Sequence, residues 1–332
     1  MVENFIEMVA KNAPPSLEAR PSTGLTARVL GPVGAPELPA IARGMVLPGG
    51  AAGADSTGVA LEPLARPTFL LDAFSDAPEL ASLGCGSVAF FSRRSPDREG
   101  ANEDALAILP VGADSAILVV ADGLGGQSAG EVASRTALES LAESVAGVGP
   151  EGSLRTAILD GLEMANQRIL AFGTGAGTTI SLVEVSNDGA RPYHVGDSMI
   201  LLTGNRGLIK LQTIAHSPVG YGVEAGLIDE EESLSHEDRH LVSNIVGSPE
   251  MRIEIGPPIK LSPLDTLVVA SDGLADNLQP AEIVDLVRKG PLARAASGLA
   301  AEVLRRMVSP TEGLHSKPDD LSFILFRPKR PI

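Results

Sequence analysis

The stretch Ser115-Ala116-Ile117-Leu118-Val119-Val120-Ala121-Asp122-Gly123-Leu124-Gly125-Gly126 begins as an unbroken apolar run and ends in a carboxylate followed by glycines. A short continuous run of this kind reads as a buried strand. It delivers Asp122 to a strand end, where loops carry chemistry on a rigid scaffold. Gly123 lets the backbone approach a ligand with no side chain in the way, and Gly125 and Gly126 permit a tight turn into the next element. Alone, such a turn is ordinary Asp-Gly chemistry at a helix entry.

Four further acidic motifs share that placement. Asn102-Glu103-Asp104 precedes the strand-like run 105–109, Gly196-Asp197-Ser198 lies within an apolar run, Ser271-Asp272-Gly273 ends one that starts at Thr266, and Asp319-Asp320 opens the run 321–326. Each is weak by itself, and their conjunction points to one metal site built from distant segments. Aspartate oxygens are hard ligands, so converging carboxylates with no cysteine ligands and few histidines favour Mg²⁺ or Mn²⁺ over zinc. Two such ions about 3.5–4 Å apart generate a bridging hydroxide and stabilise in-line displacement at phosphorus. The reaction class that follows is phosphate ester hydrolysis.

Outward from these motifs, the pattern predicts strands over 87–92, 105–109, 115–121, 178–185, 192–202, 266–271 and 321–326. Helices are predicted over 130–145, 154–171, 280–287 and 292–308. The turn Ser186-Asn187-Asp188-Gly189 marks a hairpin. Residues 213–240 are polar and weakly periodic, and are expected to form a mobile excursion flanking the site. Strands with helices bunched between them give an α+β class. Residues 1–80 hold ten of the 25 prolines and Ala/Gly/Pro-rich stretches. They read as an irregular extension with short helices near 5–9 and 38–42, ahead of a catalytic unit over 81–330.

With 332 residues and a formal net charge of -16, the chain can bury a sizeable core and would repel nucleic acid and anionic membranes. The single cysteine, Cys85, leaves no intrachain disulfide. The N-terminus lacks a signal-peptide pattern and no apolar run approaches the roughly 18 residues of a bilayer span. A cytoplasmic location is expected.

The segments Asn102-Glu103-Asp104-Ala105, Val120 to Ser134, Gly177-Thr178-Thr179, His194 to Ser198, Ser271 to Leu274 and Pro318 to Ser322 resemble the metal-dependent serine/threonine protein phosphatases of the 2C (PPM) type in their bacterial form. The likeness covers about residues 86–327. It implies an α-β-β-α sandwich of two antiparallel sheets flanked by helices, with a dimetal centre at one end. It further implies Asp122, Asp272 and Asp319 on the first metal, and Asp122 with the Gly123 carbonyl on the second. Glu103 and Asp104 would form an acidic pair beside that second ion, and Asp197 with Asp272 would hold a third, weaker one. The implied activity is hydrolysis of phosphoserine and phosphothreonine in a protein substrate, opposing a Ser/Thr kinase.

Three departures from that pattern stand out. The arginine that grips substrate phosphate in the family falls where this chain has Glu99, with Arg98 one residue earlier and Arg93 and Arg94 as substitutes. Leu124 replaces a histidine thought to protonate the leaving group in eukaryotic relatives, so water or another group must serve. Met199 replaces a common arginine, which is expected to alter packing or a salt bridge and not the chemistry. The shifted arginine and the long extension keep open a pseudophosphatase or binding module of the same fold, and a further alternative keeps the catalysis but takes a small phosphorylated metabolite as substrate. His194 reads as a satisfied structural histidine, His216, His236, His240 and His315 as exposed, and Asn277 as a helix cap. Because every proposed ligand lies beyond residue 80, deletion of the first 80 residues is expected to spare hydrolysis of a small aryl phosphate.

Overall fold

A computed structural model describes residues 61–125, 129–148, 152–234 and 236–329. The short helices expected near 5–9 and 38–42 lie outside them, as do Gly126 and the two residues after it. Thirteen strands among the described residues are β1 (Thr68–Leu71), β2 (Glu79–Leu83), β3 (Gly86–Arg93), β4 (Asp104–Val111), β5 (Ser115–Leu124), β6 (Gly177–Thr178), β7 (Ile180–Ser186), β8 (Gly189–Val195), β9 (Met199–Thr203), β10 (Ile209–Gln212), β11 (Glu254–Ile255), β12 (Thr266–Ala270) and β13 (Leu321–Pro328). The helices are α1 (Ala129–Ala146), α2 (Leu154–Leu170), α3 (Pro218–Glu224), α4 (Glu230–Ser233), α5 (Asp272–Ala275), α6 (Pro280–Val287) and α7 (Leu292–Val308), with a 3₁₀ turn at Glu237–His240.

The strands form two antiparallel sheets. One runs β1-β4-β5-β7-β8-β11 with β6 added beside β5, and the other runs β10-β9-β12-β13-β3-β2. Side-chain alternation along each strand sorts the core into three layers. On β5, Ile117, Val119 and Ala121 pack against Leu138 and Leu141 of α1 and Ile158 and Leu162 of α2. Leu118 and Val120 face the second sheet, meeting Val88, Ile200, Val269 and Ile324. Beyond that sheet, Val268, Phe323 and Leu325 contact Leu274, Ile283, Leu299 and Val303. On α7 the buried Leu292, Ala295, Ala296, Leu299, Ala300, Val303 and Met307 make a stripe of helical period. Cutting Leu299 to Ala costs about 2–5 kcal/mol on that basis. The α-β-β-α sandwich expected from the sequence is what the chain forms.

Parity also explains where the polar groups gather. Continuing the inter-sheet row of each strand to one end of the sandwich gives Asp122 after Leu118 and Val120, and Asp104 before Leu106 and Ile108. The second sheet supplies Ser92 after Val88 and Phe90, Ser271 after Leu267 and Val269, and Ser322 before Ile324 and Phe326. The apolar layer is therefore closed at this end by carboxylates and hydroxyls.

Three local expectations differ from what is seen. The run 192–202 is two strands in different sheets, because Gly196, at φ +106°, breaks it and Gly196-Asp197-Ser198 carries the chain from one sheet to the other. A Cβ on Gly196 would lie 2.6 Å from Thr179, so this corner needs glycine. Segment 213–240 is built of α3, α4 and the 3₁₀ turn. Ser217 caps α3 by accepting from Gly220 N at 2.9 Å, with Pro218 at the first turn. Finally, β1 pairs with β4 and β2 with β3, so the boundary expected near residue 80 falls inside β2. Among the described residues no helix is long and apolar enough to cross a membrane.

Candidate active site

Asp122 and Asp104 stand opposite one another across β4 and β5. The backbone at Asp122 is clamped by the Gly177-Thr178-Thr179 segment. Its N–H donates to Thr179 Oγ1 at 3.1 Å, and its carbonyl accepts from Thr179 N and Thr178 Oγ1, both at 2.8 Å. Gly123 N–H donates to the Glu103 carbonyl at 3.1 Å. A Cβ on Gly123 would fall 2.1 Å from the Gly130 carbonyl oxygen, so no other residue fits where the strand meets α1.

The second sheet brings Asp272 to the start of α5 and Asp319 just ahead of β13. Asp104 Oδ2 accepts from Ser271 Oγ at 2.7 Å across the sheets, while its Oδ1 is buried with no partner among the described residues. Burial, then the neighbouring Asp320, pushes the Asp104 carboxyl up to about 8. Burial and then Asp272 and Asp104 push Asp122 well above the carboxylate range, and burial with Asp276 does the same to Asp272. Asp197 is raised to about 6 by burial, then by Asp276. Carboxylates crowded and buried this way call for cations, because an uncompensated buried charge is costly. The orphaned Asp104 oxygen and the hard donor set fit divalent ions bound through oxygen.

Of Arg93, Arg94 and Arg98, it is Arg98 that reaches this cluster. Its guanidinium lies 2.7 Å from Glu103 Oε2, 3.6 Å from Asp319 Oδ1 and 3.8 Å from Asp320 Oδ2. Burial works against its charge, but Asp319, Asp320 and Glu103 outweigh it and hold the proton more tightly. Its side chain remains 47% exposed, so a ligand can approach it. Arg93 instead stacks 4.0 Å over Phe74 and donates to the Ser75 carbonyl, and Arg94 donates to the Gly100 carbonyl.

Two residues absent from the sequence reading, Asp276 and Lys317, and one named there only within its motif, Asp320, complete the site. Asp276 follows Asp272 by four positions, a spacing that shares one helical face and was available as a signal. Lys317 donates to Asp272 Oδ2 at 3.2 Å and to Asp276 Oδ2, and lies 3.2 Å from Asp319 Oδ2. Asp320 accepts from Ser95 N and Glu103 N, both at 2.7 Å, tying the Arg98 loop to Glu103.

Asn277 is fully buried and does not cap α6, whose N-cap is Gln279. Its Nδ2 donates to the Gly273 and Lys317 carbonyls at 2.9 Å each, and its Oδ1 accepts from Lys317 N at 2.8 Å. It therefore cross-links the loops that carry Asp272 and Asp319. Arg306 supports it by donating to the Asn277 carbonyl at 2.6 Å.

His216 is buried, contrary to expectation, because it buttresses the Asp197 corner. Its Nδ1 accepts from Gly196 N at 3.0 Å and from Asn244 Nδ2 at 2.9 Å. Those two donors occupy Nδ1, so the proton sits on Nε2, 3.0 Å from Glu254 Oε2. His194, held near 3 by burial and then His216, stays neutral and donates from Nε2 to the Ser198 carbonyl at 2.8 Å. His194, His216 and Glu254 lie close enough to share an ion, but a proton already fills the His216 nitrogen that would bind it. A cleft of about 360 Å³ opens beside Asp197, Asp272 and Asp276, walled by Ser217, Val219 and Arg239 of the 213–240 segment.

A family model described as Protein phosphatase 2C matches residues 97–309. A putative protein phosphatase 2C-type of Streptococcus pyogenes is 34% identical over 183 residues, 52% of this chain and 72% of that protein. The Mycobacterium tuberculosis serine/threonine phosphatase PstP/Ppp superposes with a TM-score of 0.61 at 26% identity, over 73% of this chain and 98% of that one. The catalytic domain of the serine threonine protein phosphatase PstP in complex with 2 manganese ions gives 0.58 at 25% identity, over 73% and 98%.

Proposed function

Because this chain belongs to the protein phosphatase 2C family, we propose that it is a metal-dependent phosphatase of phosphoserine and phosphothreonine in a protein substrate phosphorylated by a Ser/Thr kinase. The observation that carries this reading is the convergence of Asp104 and Asp122 from one sheet with Asp272 and Asp319 from the other, beside Arg98.

Asp122, Asp272 and Asp319 are the residues proposed to hold a first divalent ion, Mn²⁺ or Mg²⁺, and Asp122 with the Gly123 carbonyl a second, with Glu103 and Asp104 beside it. Asp197 with Asp272 is the proposed place of a third. When bound, such ions supply the acidity that makes hydroxide from water at neutral pH and the positive charge that stabilises displacement at phosphorus. The chain's own part is to position. Thr178 and Thr179 fix the backbone at Asp122, Ser271 fixes one oxygen of Asp104, and Asn277 holds the two loops of the second sheet together. Arg98 presents a planar fork of donors suited to two oxygens of a phosphoryl group, and would exchange Glu103 for that substrate. Leu124 offers no proton, so the leaving alkoxide takes one from water.

The catalytic unit is proposed to start near residue 61, since β1 and β2 are strands of its two sheets. The test is hydrolysis of a phosphothreonine peptide in EDTA, Mg²⁺ or Mn²⁺, with Asp272→Ala alongside. Metal-dependent phosphate release that the substitution abolishes is expected. A folded protein that binds Mn²⁺ yet releases no phosphate would sink the assignment.

A further inference from the structure

The carboxylates of the second sheet already hold a cation of the chain's own. Lys317 Nζ lies 3.2 Å from both Asp272 Oδ2 and Asp319 Oδ2 and donates to Asp276 Oδ2. An ammonium has three N–H donors, and here it faces three carboxylates. The placement is enforced on both sides of the stem. Lys317 N and O are both bonded to the buried Asn277 at 2.8 and 2.9 Å, and Ser316 Oγ donates to the Arg306 carbonyl at 2.8 Å. Asp276 also takes Arg239 at 3.2 Å, so positive charge reaches it from the 213–240 segment as well. A free surface lysine gains little from one exposed partner, whereas this one is 29% exposed and has three.

We infer that Lys317 is an internal competitor for a divalent ion at Asp272, Asp276 and Asp319, so that its ammonium sets how many ions this end of the sandwich binds and how tightly. The inference rests on the metal-centre reading above. A divalent ion binds carboxylate oxygens at about 2.0–2.2 Å and uses the same lone pairs that Lys317 engages. The two cations also repel at this range. For an ion to be held by these three groups, Nζ must withdraw, and the free energy of its three contacts is subtracted from metal affinity.

The experiment is a calorimetric Mn²⁺ titration of the full chain, without substrate, for the wild type, Lys317→Gln, Lys317→Met and the charge-retaining Lys317→Arg. Melting temperatures are measured in parallel in EDTA and in Mn²⁺. The neutral variants are expected to bind one further equivalent of Mn²⁺, or to bind about tenfold tighter or better. They are also expected to melt lower than wild type in EDTA and to gain more from Mn²⁺, while Lys317→Arg follows the wild type. Two neutral substitutions are used so that a folding defect in one leaves the other to decide. If wild type and neutral variants bind Mn²⁺ with one stoichiometry and affinity, Lys317 is no competitor and the carboxylate centre stands. If none of them binds Mn²⁺, the metal-centre reading falls and this inference with it.

Discussion

Asp104 and Asp122 are register partners on adjacent antiparallel strands, each continuing the inter-sheet row of its strand at the same end of the sandwich. A directly opposed pair brings side chains within about 5 Å, where like charges destabilise the sheet unless something shares them. The cation proposed for this site would share that charge, which would make the site a place where stability has been exchanged for function.

Asp122→Asn separates those two roles. Burial, then Asp272, holds the Asp122 carboxyl well above its usual range. A group raised in this way adds stability fully only below its unfolded value of about 3.9, and that stability is gone once pH exceeds the folded value. The variant is therefore expected to melt higher than wild type in EDTA at neutral pH, yet to hydrolyse phosphothreonine peptide about 10²-fold more slowly or worse. Equal turnover at saturating Mn²⁺ would remove Asp122 from the centre.

Arg98→Ala is expected to raise KM for a phosphopeptide, with a loss in kcat/KM equivalent to about 1.5–3 kcal/mol for a charge-assisted contact. Arg98→Lys should recover only part of it, because an ammonium lacks the planar fork. Arg93→Ala and Arg94→Ala should leave KM near wild type, since both side chains are engaged away from the carboxylates. Steady-state kinetics on the four proteins decide the assignment.

Asn277→Ala leaves the buried Gly273 carbonyl and the half-buried Lys317 carbonyl without the Asn277 donor. A stability loss of about 1–3 kcal/mol is expected, with weaker Mn²⁺ binding because the loops of Asp272 and Asp319 lose their cross-link. Urea unfolding in EDTA reads the first effect and calorimetry the second. A variant that unfolds like wild type would show that Asn277 does not bear that load.

Much of the fold was legible because buried strands write themselves as apolar runs and the carboxylates fall at their ends. The motif order therefore points to Asp104, Asp122, Asp272 and Asp319 from the sequence alone. What escaped has a common cause. Only Gly196-Asp197-Ser198 separates Val195 from Met199, and so short a polar interruption reads equally well as a motif inside one strand or as a passage between sheets. β1 spans four residues in Pro-rich surroundings and gains its strand character from pairing with β4. Lys317 acquires its role only when the 272–277 turn packs on the loop before β13, a relation between distant segments that spacing does not encode. Ser217-Pro218, by contrast, was a readable helix start in a segment judged irregular.

Acid sensitivity should trace to α7. Glu302 is held down to about 2, chiefly by the Arg305 hydrogen bond and then by Arg306. A depressed carboxyl contributes its stability above the unfolded value of about 4.3 and loses it as pH falls toward 2. Glu302→Gln should therefore be less stable than wild type at pH 6 and converge with it near pH 2. Parallel curves across that range would show that the ion pair contributes nothing.

Truncation tests what lies ahead of β2. Asn102 N donates to Asp72 Oδ1 at 2.9 Å and Asn102 Nδ2 to the Ala73 carbonyl at 2.9 Å, so the β1–β2 connection holds the residue beside Glu103. A chain starting at residue 61 is expected to retain hydrolysis of a small aryl phosphate. One starting at residue 81 is expected to lose it, because β1 and those two acceptors are gone. Equal activity in both would show that the connection is dispensable.

The three-residue passage at Gly196-Asp197-Ser198 acts as a short tether. The chain bends at Gly196 and Asp197 and enters the second sheet at Met199, so few covalent bonds separate the two sheets here. Asp122 belongs to one side of that crossing and Asp272 to the other. The two banks of carboxylates are thus joined near the cleft by a short covalent bridge as well as by the packing of side chains deeper in the sandwich.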